Sequence, residues 1–236
     1  MAREQAPRAK PAAVSRAPQA QAIEKIIGDA TKKREGTRHI SLGGTGRGKT
    51  WFLKKLVGVA SRRVDVVLVH DVKDRAAQYP GQTYANVAHV PRNPPKSGNI
   101  LVFRDENPEL VARFGWRLGT AGKTSLVLVD EIYDALSSPM HFAARPSTID
   151  EIARKGRSRG VSFVGTTQVP QSLPTVLIDL ADTKSIFGMD SRSLNYVESA
   201  LRLDRRATAA ISRLSIGEFI LIEQGRDWDG IVYGPQ

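Results

Sequence analysis

Between residues 43 and 50 the chain reads Gly43-Gly44-Thr45-Gly46-Arg47-Gly48-Lys49-Thr50, and few runs of eight residues restrict a fold as tightly. The run fills every fixed position of the pattern G-x-x-x-x-G-K-[ST]. That pattern works where a strand ends and a helix begins. Glycines let the backbone aim N–H groups at a phosphate, and the positive end of the helix dipole points the same way. Both flanks comply. Arg38–Leu42 has apolar residues at alternate positions, as a strand does, and Phe52, Leu53, Leu56 and Val57 fall on one helical face. The loop is therefore expected to hold a nucleoside triphosphate. Gly43, Gly44, Thr45, Gly46, Arg47 and Gly48 would wrap the phosphates, Lys49 would reach the β- and γ-phosphates, and the Thr50 hydroxyl would ligate Mg²⁺.

Strands and helices alternate along the rest of the chain. Residues 64–72 and 125–129 are near-continuous Val and Leu, as in parallel strands covered on both faces. Further strands are expected at 99–104, 161–166 and 184–189, with a closing antiparallel pair at 218–222 and 230–233. Asn107-Pro108 opens a helix, since Asn caps well and Pro suits the first turn. Ser147 or Thr148 opens another, with Asp150 and Glu151 placed for a capping box. Helices are also expected over 20–30, 191–203 and 204–214, and residues 76–98, rich in Pro, Gly and Asn, as irregular connection. The pattern predicts a single α/β sandwich with a mainly parallel sheet.

The second chemical signal is Asp130-Glu131, which ends the 125–129 strand. An apolar strand closing on an acid beside a phosphate loop is the Walker B arrangement. Asp130 would hold Mg²⁺, directly or through water. Glu131 can act as general base on an attacking water, which favours hydrolysis over phosphoryl transfer to a hydroxyl. Gly122-Lys123-Thr124 mimics the end of a phosphate loop, but Arg117 stands where the first glycine belongs and a strand follows, so it reads as a tight turn. Asp71 and Lys73 sit at the carboxyl end of the second strand, the edge where such sheets bind ligands. Gln168, at the tip of the 161–166 strand, is placed to sense a γ-phosphate. Arg157 and Arg159 precede that strand. They read as arginines that complete a neighbouring subunit's site, or as a solvated basic turn or a contact to a phosphate backbone.

The formal net charge of +11 attracts polyanions, with nucleic acid first and an anionic membrane surface second. Residues 1–19 are rich in Ala, Pro, Gln and Arg and poor in large apolar residues. They are expected to form a flexible basic tail before one ATPase domain over 20–236. The chain has no cysteine, which excludes disulfides and thiolate metal sites. His39, His70, His89 and His141 show no metal-ligand spacing. No apolar run is long enough for a transmembrane segment and no signal peptide opens the chain, so a cytosolic protein is expected.

The order of these segments resembles the FtsK–HerA superfamily of DNA-pumping P-loop ATPases. The likeness covers about residues 37–235. It rests on the 43–50 loop, Leu-Val-Asp-Glu at 128–131, Gly-Arg-Ser-Arg-Gly-Val at 156–161 and Thr-Thr-Gln-Val-Pro-Gln-Ser-Leu-Pro at 166–174. It continues through 187–193 and 216–220. A small ATPase domain with a basic tail is most similar, within that superfamily, to the genome-packaging ATPases of tailless, membrane-containing icosahedral viruses. The resemblance implies a three-layer P-loop NTPase sandwich of RecA/FtsK–HerA type. It also implies an ATP-driven translocase of double-stranded DNA, a homo-oligomeric ring, by analogy a hexamer, and a capsid or vertex protein as partner. The location implied is the virion or the host cytoplasm. A pump for conjugation or segregation, and a DNA-binding scaffold with slow hydrolysis, are the alternatives.

Overall fold

The computed structural model describes residues 14–32, 35–71, 79–90, 99–104, 107–132 and 147–235. Lys73, His141 and the first thirteen residues of the expected tail lie outside them. The strands are β1 (Ser15–Pro18), β2 (Arg38–Leu42), β3 (Val66–His70), β4 (Gln82–Tyr84), β5 (Asn99–Phe103), β6 (Ser125–Val129), β7 (Val161–Thr167), β8 (Thr183–Phe187), β9 (Phe219–Glu223) and β10 (Ile231–Gly234). They form one ten-stranded sheet in the order β1-β10-β9-β8-β2-β7-β6-β3-β5-β4. Every described pairing is parallel except the two made by β9, which runs against β8 and β10. This is the α/β fold with a mainly parallel sheet and a C-terminal antiparallel pair that the sequence predicts.

The near-continuous apolar runs follow from burial on both faces: every residue of β3, β6 and β7 is buried. Successive side chains alternate between two cores. Val67, Val69, Leu126, Leu128 and Val164 pack on one face against α1 (Gln19–Lys32) and α2 (Lys49–Ala60). Val66, Leu68, Val127, Val129 and Phe163 pack on the other. That face is covered by α3 (Pro108–Thr120), α4 (Thr148–Lys155), α5 (Thr175–Leu180), α6 (Ser191–Leu201) and α7 (Arg205–Ile211). Two helix layers around a sheet make the three-layer sandwich.

Two local expectations are corrected and a third is extended. Residues 15–18, expected within the tail, form β1, which pairs in parallel with β10, and Gln19 begins α1. The connection at 76–98 contains β4, which pairs with β5. The start of α4 is capped twice: the Ser147 hydroxyl accepts from Asp150 N at 3.1 Å, and the buried Glu109 carboxylate of α3 accepts from Thr148 N at 2.6 Å and Ile149 N at 3.3 Å. The second acceptor comes from another helix, where the sequence suggested a local box. Gly122-Lys123-Thr124 is a turn, with Gly122 at φ 75° and Lys123 N donating to Leu118 O at 3.0 Å.

Candidate active site

Parallel pairing brings the carboxyl ends of β2, β7, β6 and β3 side by side. These ends carry, in that order, the phosphate loop, Gln168, Asp130-Glu131 and Asp71. The loop is seated from below and from one side. Phe52 of α2, Phe187 at the tip of β8 and Phe219 at the start of β9 form a buried aromatic cluster, with ring centroids 4.6 to 6.0 Å apart. Gly43 lies on it: a Cβ there would stand 2.6 Å from Phe187 Cβ. Gly44 N donates to Gly188 O at 3.0 Å, and Gly217 N donates to Arg47 O at 3.0 Å. Gly43, Gly46 and Gly48 have φ of 157°, 71° and 95°, a region where glycine is the residue of least strain. Gly48 is doubly constrained, because a Cβ would come within 2.8 Å of Gly217 Cα.

Lys49 and Thr50 open α2. The Lys49 ammonium donates to Gly43 O at 2.6 Å and Gly44 O at 2.9 Å, so its charge sits over the loop. A glycine cradle, an ammonium and a helix N-terminus are the donors a triphosphate requires. The Thr50 hydroxyl and the Asp130 carboxylate, both at this edge, are hard oxygen ligands suited to Mg²⁺.

Three sequence-derived residues meet directly. Gln168 donates from Nε2 to Glu131 Oε1 at 2.5 Å and from its backbone N to Glu131 Oε2 at 3.3 Å. Its Oε1 meets the Thr45 hydroxyl. Gln168 thus links the Glu131 carboxylate to the exposed tip of the phosphate loop. Glu131 itself has φ 60°, a left-handed conformation that costs a side-chain-bearing residue on the order of 1 kcal/mol. Asp130, nearly fully buried, is held by Thr166 Oγ1, which donates to Oδ1 at 3.0 Å, and by the Tyr79 hydroxyl, which donates to Oδ2 at 3.2 Å.

Sequence reasoning missed two members of this group: Thr166, which it read only as part of a strand, and Tyr79. Tyr79 lies in the connection read as irregular, and its signal is faint: a lone aromatic before Pro80-Gly81. Burial first, then the charge of Asp130, holds its hydroxyl well above the usual tyrosine range.

Arg157 and Arg159 are not brought to this edge. They precede β7, whose seven residues separate them from Gln168 by on the order of 20 Å. Arg157 pairs with Glu35 at 2.8 Å, both well exposed. Arg159 lies over the Trp116 ring, 4.5 Å from its centroid, and donates to Thr120 Oγ1 at 3.2 Å.

A mainly parallel sheet, a glycine loop between β2 and α2, and an acid closing β6 two strands away define a P-loop NTPase fold, the fold expected from the FtsK–HerA resemblance. No protein-family model matches the chain, and no curated protein matches its sequence. Solved structures do match in fold. The genome-packaging NTPase B204 of Sulfolobus turreted icosahedral virus 2, in complex with AMPPCP, superposes with a TM-score of 0.67 at 16% identity, over 85% of this chain and 98% of that one. VirB4 of Thermoanaerobacter pseudethanolicus gives 0.60 at 11% identity, over 85% and 89%. The pCW3 conjugation coupling protein TcpA, with ATPγS, gives 0.56 at 14% identity, over 84% and 60%. Among the described residues no helix is long and apolar enough to cross a membrane.

Proposed function

We propose that this chain is an ATPase that drives double-stranded DNA, packaging a viral genome into a preformed capsid as a homohexameric ring. The observation that carries the enzymatic part is the contact of Gln168 with both Glu131 and Thr45. It joins a general base to the loop that would hold the γ-phosphate, so hydrolysis and phosphate sensing share one side chain. Lys49 would exchange the loop carbonyls for β- and γ-phosphate oxygens. Thr50 and Asp130 would hold Mg²⁺, which neutralises charge between those phosphates. Glu131 would take the proton of the attacking water.

Arg157 and Arg159 lie at the sheet edge away from their own loop. In a ring they are proposed to serve a neighbour's site, with Trp116 and Thr120 positioning the Arg159 guanidinium. The net charge of +11 supports DNA as the cargo, and the fold likeness to B204 supports packaging, with a capsid vertex protein as partner in the virion or host cytoplasm. The fold likeness to TcpA favours a second reading, a pump for conjugation. Encapsidation of duplex DNA by purified procapsids separates the two.

The decisive measurement is ATP turnover with and without duplex DNA. Turnover should rise with DNA, and Glu131→Gln should lower kcat by about 10²–10⁴ while nucleotide still binds. No stimulation by DNA, or unchanged turnover in Glu131→Gln, would remove the motor reading.

A further inference from the structure

The geometry points to Tyr79 as a positioning residue that fixes the Asp130 carboxylate for Mg²⁺. This inference rests on the proposed ATPase site and adds a residue to it.

Asp130 follows β6, and its backbone N donates to His70 O at 3.1 Å. Its carboxylate would still rotate about two side-chain bonds. Two hydroxyls prevent this. Thr166 on β7 holds Oδ1 from one side, and Tyr79 holds Oδ2. Each carboxylate oxygen offers two lone pairs, so a hydroxyl on each restrains the plane in which the carboxylate would meet a cation or its water. Groups that orient a metal's ligands in this way typically change affinity by about 10- to 100-fold.

Tyr79 is itself well anchored. Its ring is buried in the core that includes Val67, Val69 and Val102. The turn that follows is fixed by Gly81, at φ 125°, where a Cβ would lie 2.4 Å from Ile100 O. The hydroxyl therefore reaches Asp130 from a rigid base rather than from a loose loop. Asp71, nearly fully buried, follows β3 as Asp130 follows the neighbouring β6.

The test uses the full chain with Tyr79→Phe, which removes one oxygen and keeps the ring in the core, and Tyr79→Met as an apolar filler of different shape. A fluorescent ATP analogue is titrated in Mg²⁺ and in EDTA, and the Mg²⁺ concentration giving half-maximal turnover is measured. Both variants should need about 10-fold more Mg²⁺, with affinity in EDTA unchanged. Thr166→Val should shift the Mg²⁺ requirement in the same direction and Thr166→Ser should restore it. If both Tyr79 variants lower the melting temperature but leave the Mg²⁺ requirement at the wild-type value, Tyr79 is a core residue only and the inference is overturned. If the wild-type protein itself binds nucleotide no better in Mg²⁺ than in EDTA, the ATPase reading fails, a result distinct from a defect confined to the variants.

Discussion

A methyl group at Gly48 meets two obstacles at once, a φ of 95° and the Gly217 backbone 2.8 Å away. Gly48→Ala should therefore lower stability by about 1–3 kcal/mol and abolish binding of a fluorescent nucleotide, both measurable on one preparation. His39 offers a different residue-scale test. It is fully buried between β2 and β8, with Nδ1 2.9 Å from Thr183 Oγ1 and Nε2 3.1 Å from Ser185 Oγ. Burial, then the nearby Lys184 charge, pushes its pKa down to about 3. The unfolded chain takes up that proton near pH 6.5 and the folded chain does not. The contribution is thus complete above pH 6.5 and is lost as pH falls toward 3, by up to about 1.4 kcal/mol per pH unit. Urea unfolding of wild type should show this slope between pH 6.5 and 4.5, and His39→Gln should flatten it. At this scale the sequence was informative where chemistry is local. The loop, Asp130, Glu131 and Gln168 announce themselves by lying next to strand ends. Tyr79 does not, because its partner Asp130, just past β6, is brought to it only by packing of the sheet.

Elements were legible in proportion to their burial. The strands β3, β6 and β7 could be read directly, since burial on both faces leaves no polar positions to blur the run. The edge strands could not. Ser15–Pro18 has no apolar alternation and contains a proline, which an edge tolerates, and Gln82–Tyr84 is three residues long. Each is defined by a neighbour, β10 or β5, rather than by its own composition. The junction of α3 and α4 has the same non-local character. Glu109 on α3 supplies acceptors for the first N–H groups of α4, where a negative charge also meets the helix dipole. Glu109→Ala should lower stability by about 1–2 kcal/mol. Hydrogen exchange should quicken at residues 148–155, with little change in β2 or α2.

The whole molecule carries eleven more positive than negative formal charges. If DNA is the cargo, contacts run to phosphates rather than to bases. Affinity for duplex DNA should then be blind to sequence and fall about 10³-fold or more between about 50 and 200 mM salt, as fluorescence anisotropy with two unrelated duplexes would measure. Assembly is testable by mixing. Arg157→Ala and Arg159→Ala subunits, titrated into wild type, should lower turnover by more than simple dilution if the arginine acts on a neighbour, and in proportion to dilution if it does not.

The pairing of β1 with β10 sets an order of events in time. Ser15 aligns with Ile231, so on a ribosome the early strand has no described ladder partner until residue 231, more than two hundred positions later, has emerged. Closing so long a loop is entropically costly, and contacts of this separation form late in folding. Gln19, at the start of α1, donates from Nε2 to Gly217 O at 2.8 Å, and Gly217 N donates in turn to Arg47 O of the phosphate loop. The segment that waits longest for its place is therefore two hydrogen bonds from the loop that would hold the triphosphate. A nascent or truncated chain lacking β10 would have the whole sequence of the loop and only part of its supporting structure, which would delay nucleotide capture until β10 has been made.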